Sequence, residues 1–389
     1  MEDRGGISGA ALIDRPAEPA RSRTTRVTPK VEGLEVTAYE VPTDQPESDG
    51  TLKWDSTTAI VVQAFNGRER GIGYTYGDRS VKTLIESKLC DVVSGADAMR
   101  PPTAWVQMRR ALRNVGQPGE GAMAVSAVDM ALWDLKSRLL GLPLADALPR
   151  FRDSVPVYGS GGFTSYDADA LREQARGWVR AGMRSVKIKV GREPDADPER
   201  IKIVRDVIGP NIELMVDANG AYGSVAEALQ HAERFRELGI VWLEEPLPND
   251  DLPGLHRVRR ERPPGIEIAA GEYNWSLFDA ERLLSADAVD VLQSDVTRCG
   301  GVTELLRIDG VCRAHGVPFS GHCAPAASAH ACCAVESVKH LEYFHDHVRV
   351  ESLLFEGTLD PEGGALTPDG RRAGLGLELR SEAERFRAE

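Results

Sequence analysis

The sequence predicts an α/β protein: a closed parallel barrel of eight strands with seven intervening helices, preceded by an α+β unit. Three observations carry this. After Asp153 short β-branched or apolar runs alternate with helical segments, and such crossovers require parallel strands. Polar residues stand at the C-terminal ends of nearly every run, where a barrel builds its site. No GxGxxG or phosphate-binding loop follows the first run, which weakens the competing open, doubly wound sheet.

Residues 1–25 read as a loose N-terminal extension. They place acidic residues among the first four and offer only a short small-residue run, so they are neither a secretory signal nor a membrane span. Residues 26–150 form the α+β unit. RVTPKVEGLEV (26–36) and TTAIVVQAF (57–65) read as strands, and the Pro, Asp, Ser and Gly content of PTDQPESDGTLKWD (42–55) marks a polar loop between them. The clearest helix runs from Ala122 to Gly141. Its Val125, Val128, Ala131, Leu132 and Leu135 recur at helical spacing, and Gly141 with Pro143 supplies the stop.

Residues 151–354 are the barrel. Its strands are VPVYGS (155–160), SVKIKV (185–190), IELMVDA (212–218), IVWLEE (240–245), IEIAAGE (266–272), VDVLQSD (289–295), VPFSGH (317–322) and HLEYF (340–344). Segments such as SVAEALQHAERFRELG fill the gaps as helices. The tail, residues 355–389, is expected to pack back on the N-terminal unit.

The chain has 389 residues, with 47 Lys and Arg against 60 Asp and Glu, a net charge of −13. Hydrophobic residues at 42% and charged residues at 28% are ordinary for a globular protein with a large core. Without a basic stripe, nucleic acid and anionic membranes are excluded as principal partners. The acidic excess is suited instead to a divalent cation. Six cysteines at 90, 299, 312, 323, 332 and 333 contain no CxxC pair, which suits reduced thiols and a cytoplasmic protein.

The strand ends carry the chemistry. Asp217, Glu244 and Glu272 end the third, fourth and fifth strands, so their carboxylates converge at one mouth. Mutual repulsion there is relieved by a hard dication, and Mg²⁺, which prefers oxygen ligands, fits. Lys187 and Lys189 alternate around Ile188 and share a face. That face is the interior or the helix layer, or the pair lies on a surface edge; inside, mutual repulsion is expected to depress one ammonium to a usable base. Asp295 and His322 end neighbouring strands, where a carboxylate orients an imidazole for proton transfer. His345 and His347 in FHDH read as a loop pair. Glu342 is a further inward acid, able to donate to a substrate carboxylate if it shares a proton.

Taken together, AVSAVDMALWDLKSRLLGLP, VKIKV, VDANG, WLEEP, AAGEYNW, QSDVTRCGGVTE, SGHCAP and HLEYF resemble the enolase superfamily, in its mandelate racemase subgroup, over roughly residues 27–380. The resemblance implies a (β/α)7β TIM-like barrel with an α+β capping domain completed by the C-terminal segment. It implies Mg²⁺ on Asp217, Glu244 and Glu272. Lys189, assisted by Lys187, looks like one acid/base, and Asp295 with His322 like the other. Glu342 is similar to the family's acid that hydrogen-bonds an enolate, and Asn219 to a polar neighbour of the metal. Tyr273 before Asn274, and Cys323 after His322, depart from the pattern near the mouth. Members of this family often assemble, so a homo-oligomer is expected.

The implied chemistry is abstraction of the proton α to a carboxylate, with Mg²⁺ and the lysines neutralising the enediolate. The intermediate is reprotonated, giving a racemase or epimerase of a 2-hydroxy acid, or expels a β-hydroxyl. The segment 43–55 brings Asp44, Gln45, Glu47, Ser48, Asp49, Lys53 and Trp54, a hydrogen-bonding set suited to a polyol. A sugar acid substrate and a dehydratase giving a 2-keto-3-deoxy product are therefore expected, with Asn219, Asp44, Trp54 and Tyr76 as the substrate-facing set. A non-catalytic barrel is the third class, set aside because the metal and base positions are intact.

Overall fold

The computed structural model describes residues 28–388; the expected extension at 1–25 and the start of the first predicted strand lie outside them. Strands β1 (Gly33–Ser48), β2 (Lys53–Asn66) and β3 (Glu69–Tyr76) form an antiparallel sheet in that order. The helix Glu120–Leu140 lies across β3, between Gly119 (φ 64°) and a left-handed Gly141 (φ 68°). Glycine is required beneath it: a Cβ on Gly73 would stand 2.1 Å from the Ala127 carbonyl oxygen, and one on Gly71 2.2 Å from that of Ala131. The absent side chains let helix and strand meet backbone to backbone, and Val125, Val128, Ala131 and Leu135 are fully buried there.

The barrel strands are β4 (Val155–Gly161), β5 (Ser185–Lys189), β6 (Glu213–Asp217), β7 (Ile240–Glu244), β8 (Glu267–Ala270), β9 (Val291–Ser294), β10 (Phe319–Gly321) and β11 (Val338–Phe344). They pair in parallel in sequence order, and β11 closes on β4. Seven helices connect them, several with side-chain caps: Asp167 accepts from the Asp169 and Ala170 amides, and Ser224 from the Glu227 amide. Alternation sends Val186, Ile188, Val216, Leu243 and Ile268 into the helix layer, while Tyr158, Met215, Trp242, Ala269 and Val291 pack together as a separate apolar cluster.

One expectation is corrected here. The polar stretch 42–55 is not a loop: β1 and β2 continue through it as an extended hairpin, with a register shift between Pro42 and Glu47 and a short turn at 49–52. Cross-strand backbone bonding needs no apolar alternation, so the composition concealed it. The C-terminal segment packs on both units. Ala365 and Leu366 pair antiparallel with β4, while Leu375 N donates to Asp134 and Ala388 N to the Ala38 carbonyl of the cap. All six cysteines are free thiols. Among the described residues, no helix is long and apolar enough to cross a membrane.

Candidate active site

Parallel register sets the site. Lys189 stands beside Asp217 on β6, and Asp217 beside Glu244 on β7, so three charged side chains share one level of the interior. Glu272 lies two residues past β8, turned inward by Gly271 (φ 127°), where a Cβ would strike the Gln293 carbonyl at 2.3 Å. Asp295 and His322 follow β9 and β10, and Glu342 projects from β11.

Each carboxylate is held by a base. Lys187 Nζ lies 2.5 Å from Glu244 Oε1, 2.9 Å from Glu342 Oε1 and 3.6 Å from Asp217 Oδ2. Lys189 Nζ lies 2.6 Å from Asp217 Oδ2. His322 Nδ1 is 2.8 Å from Asp295 Oδ2, and its Nε2 is 2.7 Å from Glu272 Oε2. Trp242 Nε1 donates to Glu244 Oε2 at 3.0 Å, Ser160 to Glu342 at 2.6 Å, and the Asn219 amide to Asp217 at 2.9 Å. The lysines therefore point inward. The surface-edge reading is excluded, since Lys187 is 1% exposed.

A cavity of about 730 Å³ opens above this layer. Lys189, Asn219, Glu272, His322 and Glu342 line it from the barrel, and Trp54 and Tyr76 from the cap. Two residues not singled out in the sequence join the site. Arg298 brings a guanidinium 3.9 Å from both Glu272 and Asp295, over the Tyr273 ring. Glu245, at φ 37°, is buried with one oxygen unbonded. Nothing in the sequence separates Arg298 from a surface arginine. For Glu245, alternation after Glu244 points outward, and the positive φ breaks that alternation.

Other expectations change. Asp44 does not reach the cavity: it is 60% exposed and faces His345 Nε2 at 3.5 Å. Asp49 and Lys53 line the cavity beside Trp54, while other polar groups of the hairpin are taken up by neighbouring side chains and amides. Trp54 Nε1 donates to the buried Glu47, Ser48 pairs with Thr164, and Asp49 accepts from the Thr51 and Leu52 amides. Trp54 thus offers substrate a ring wall, and so does Tyr76, stacked 3.6 Å from His347. His345 and His347 begin a helix, His345–Leu354, and are not a loop pair.

The electrostatics also differ from expectation. Burial works to lower both lysines, but Glu244 and Glu342 on Lys187, and Asp217 on Lys189, outweigh it and raise both. Repulsion between the two is the lesser effect. Burial would push Glu342 up, yet Lys187 and His322 hold it well below the carboxylate range, and its two oxygens accept from Ser160 and Cys323. Burial disfavours the charged His322, but Cys323, Glu342, Glu272 and the Asp295 hydrogen bond raise it overall. Burial and the neighbouring Asp217 lift Glu244 to about 8, and burial with Glu272 raises Glu245 well above the ordinary carboxylate range.

That imbalance tests the metal. Asp217, Glu244, Glu245, Glu272, Asp295 and Glu342 are six buried acids, against Lys187, Lys189, Arg298 and one imidazole. The acids outnumber the bases, and a dication taking hard oxygen donors matches that excess. Asp217, Glu244 and Glu272 could hold Mg²⁺, with the unbonded Asn219 Oδ1 at the cavity.

Residues 43–148 match the mandelate racemase / muconate lactonizing enzyme N-terminal domain, and residues 170–383 match the enolase C-terminal domain-like family. The chain belongs to the enolase superfamily. This superfamily member is 32% identical to 3,6-anhydro-alpha-L-galactonate cycloisomerase of Streptomyces coelicolor, over 90% of this chain and 97% of that protein. A mandelate racemase/muconate lactonizing enzyme-like protein from Rubrobacter xylanophilus has 63% identity and a TM-score of 0.91, covering 92% of this chain and all of that one. A mutant L-talarate/galactarate dehydratase, liganded with Mg and L-glucarate, aligns at 26% identity and a TM-score of 0.88 over 98% of each chain. Acid sugar dehydratases and cycloisomerases recur among relatives near 30% identity.

Proposed function

We propose that this chain is a Mg²⁺-dependent acid sugar dehydratase, removing the proton α to a carboxylate and expelling the β-hydroxyl to leave a 2-keto-3-deoxy acid. The observation that carries this reading is the pair of proton-transfer groups facing one cavity: Lys189 Nζ from β5, and His322 Nε2 from the end of β10. Magnesium, when bound by Asp217, Glu244 and Glu272, supplies the positive charge that offsets the second negative charge of an enediolate. Lys189, once its ammonium has given up a proton, takes the C2 proton. Lys187, held between Glu244 and Glu342, stays charged and stabilises developing anionic oxygen. His322, its Nδ1 kept on Asp295, delivers the Nε2 proton to the departing hydroxyl. Trp54 and Tyr76 line the cavity from the cap with their rings. The dehydratase relatives, one of them liganded with Mg and L-glucarate, support the substrate class.

Screening an acid sugar library with Mg²⁺ for keto product tests the proposal. Product from at least one aldonate or aldarate is expected, and silence across the library overturns the dehydratase reading. The cycloisomerase at 32% identity favours a second reading, in which the same residues act on a ring oxygen in place of a hydroxyl. A racemase would instead place solvent deuterium at C2 without loss of water.

A further inference from the structure

Cys323 follows His322 directly, and consecutive residues leaving a strand ordinarily face opposite ways. Here Cys323 (φ 50°) and Ala324 (φ 46°) both adopt the left-handed region, and both His322 and Cys323 line the same cavity. Such a backbone costs about 1–3 kcal/mol at each non-glycine residue and is found where a site demands it. The result is a triangle of donors: Cys323 Sγ is 3.4 Å from His322 Nε2, Cys323 Sγ is 3.3 Å from Glu342 Oε2, and His322 Nε2 is 3.3 Å from Glu342 Oε2.

Bonds of about 2.3 Å to sulfur and 2.0–2.2 Å to nitrogen and oxygen give a tetrahedral ion sulfur edges of about 3.5–3.7 Å and a nitrogen–oxygen edge of about 3.3–3.6 Å. The nitrogen–oxygen edge matches, and the two sulfur edges, at 3.4 and 3.3 Å, are shorter and would open slightly around an ion. The supporting shell is present as well. Asp295 holds His322 Nδ1, so Nε2, now paired with Glu272 Oε2 at 2.7 Å, is the nitrogen a metal would take, and Lys187 with Ser160 engages Glu342 Oε1, so Oε2, now accepting from Cys323, is the oxygen it would take. Asp295, His322 and Cys323 also bring ligand atoms within 4.8 Å of one another. Glu272 Oε2, 2.7 Å from His322 Nε2, is a further oxygen within reach. Sulfur and imidazole are poor donors for Mg²⁺ and good ones for Zn²⁺.

We infer that Cys323, His322 and Glu342 form a second cation site, selective for thiophilic divalent ions such as Zn²⁺, which shuts the enzyme down by capturing its imidazole. On binding, the thiol proton and any Nε2 proton leave to solvent, the metal–sulfur and metal–nitrogen bonds form, and no electron is transferred. The site is independent of which sugar acid is turned over, and of whether the reaction is elimination or racemisation.

Titration of Mg²⁺-free protein with Co²⁺, and with Zn²⁺ in competition, tests this. A thiolate-to-cobalt absorption band saturating at one ion per chain is expected, removed by Zn²⁺ and retained in Glu244→Gln. Cys323→Ser should abolish the band and weaken Zn²⁺ binding more than about 100-fold, beyond the loss from a group that merely orients a ligand. A wild-type protein without the band overturns the inference. So does Zn²⁺ affinity that is unmoved by Cys323→Ser and falls in Glu244→Gln, because zinc then occupies the carboxylate site. Should Cys323→Ser fail to fold, the wild-type spectrum decides alone.

Discussion

Asp295 Oδ2 sits 2.8 Å from His322 Nδ1, and its other oxygen is fixed by the Thr297 amide and hydroxyl, each at 2.7 Å. The carboxylate is therefore immobile, and the imidazole it holds presents Nε2 to the cavity. Asp295→Asn would leave the packing in place while favouring the wrong tautomer. We expect kcat to fall by roughly 10²–10⁴-fold, the scale of general acid–base catalysis, with little change in KM. Steady-state kinetics checks this, and an undiminished kcat would remove Asp295 from the proton path.

Metal dependence follows from the surplus of buried acids. Chelation by EDTA should abolish turnover reversibly, and Mg²⁺ at 100 times its Kd should stabilise the fold by about 2.7 kcal/mol, seen as a higher Tm. Glu244→Gln removes one donor, so isothermal titration should show weaker Mg²⁺ binding. Equal affinity in the variant would take Glu244 out of the ligand set.

The cap should loosen with alkali. Burial, reinforced by Asp346 and opposed by the Trp54 hydrogen bond and Arg349, raises the Glu47 carboxyl to about 8. A raised acid favours the neutral form in the folded state. Its stabilisation is therefore complete near pH 4.5 and lost as the pH climbs through 8. Thermal melts from pH 5.5 to 8.5 should show a falling Tm that Glu47→Gln flattens; parallel curves for both proteins would contradict this.

Gly73→Ala probes the closest helix–strand approach. Its methyl would lie 2.1 Å from the Ala127 carbonyl oxygen and 2.4 Å from the Ala131 nitrogen, both backbone atoms that cannot turn aside. Overpacking of this kind costs about 1–3 kcal/mol or more, so calorimetry should record a Tm lower by several degrees. An unchanged Tm would mean that the helix shifts freely over β3.

The barrel was legible because alternation and strand-end spacing are local. Lys187 and Lys189 could be placed on one face from Ile188 between them, and Asp217 and Glu244 at one level from their separation. What failed depended on context. Of the hairpin's polar set, Asp49, Lys53 and Trp54 line the cavity, whereas Glu47 and Ser48 are taken up by Trp54 and Thr164 and Asp44 faces His345, which sequence spacing does not reveal. Repulsion from Lys187 is outweighed at Lys189 by the attraction of Asp217, 2.6 Å from its Nζ. Arg298 and Glu245 entered unannounced, one by tertiary packing and the other by a positive φ.

The central claim is that Lys189 takes the proton from the carbon next to a substrate carboxylate while His322 protonates the departing β-hydroxyl. NMR of acid sugars incubated in D₂O with Mg²⁺ and either Lys189→Ala or His322→Asn reads this directly. If each variant fails to form keto product, while His322→Asn still exchanges the C2 hydrogen through Lys189 and Lys189→Ala does not, the assignment stands. C2 exchange that continues undiminished in Lys189→Ala would contradict it.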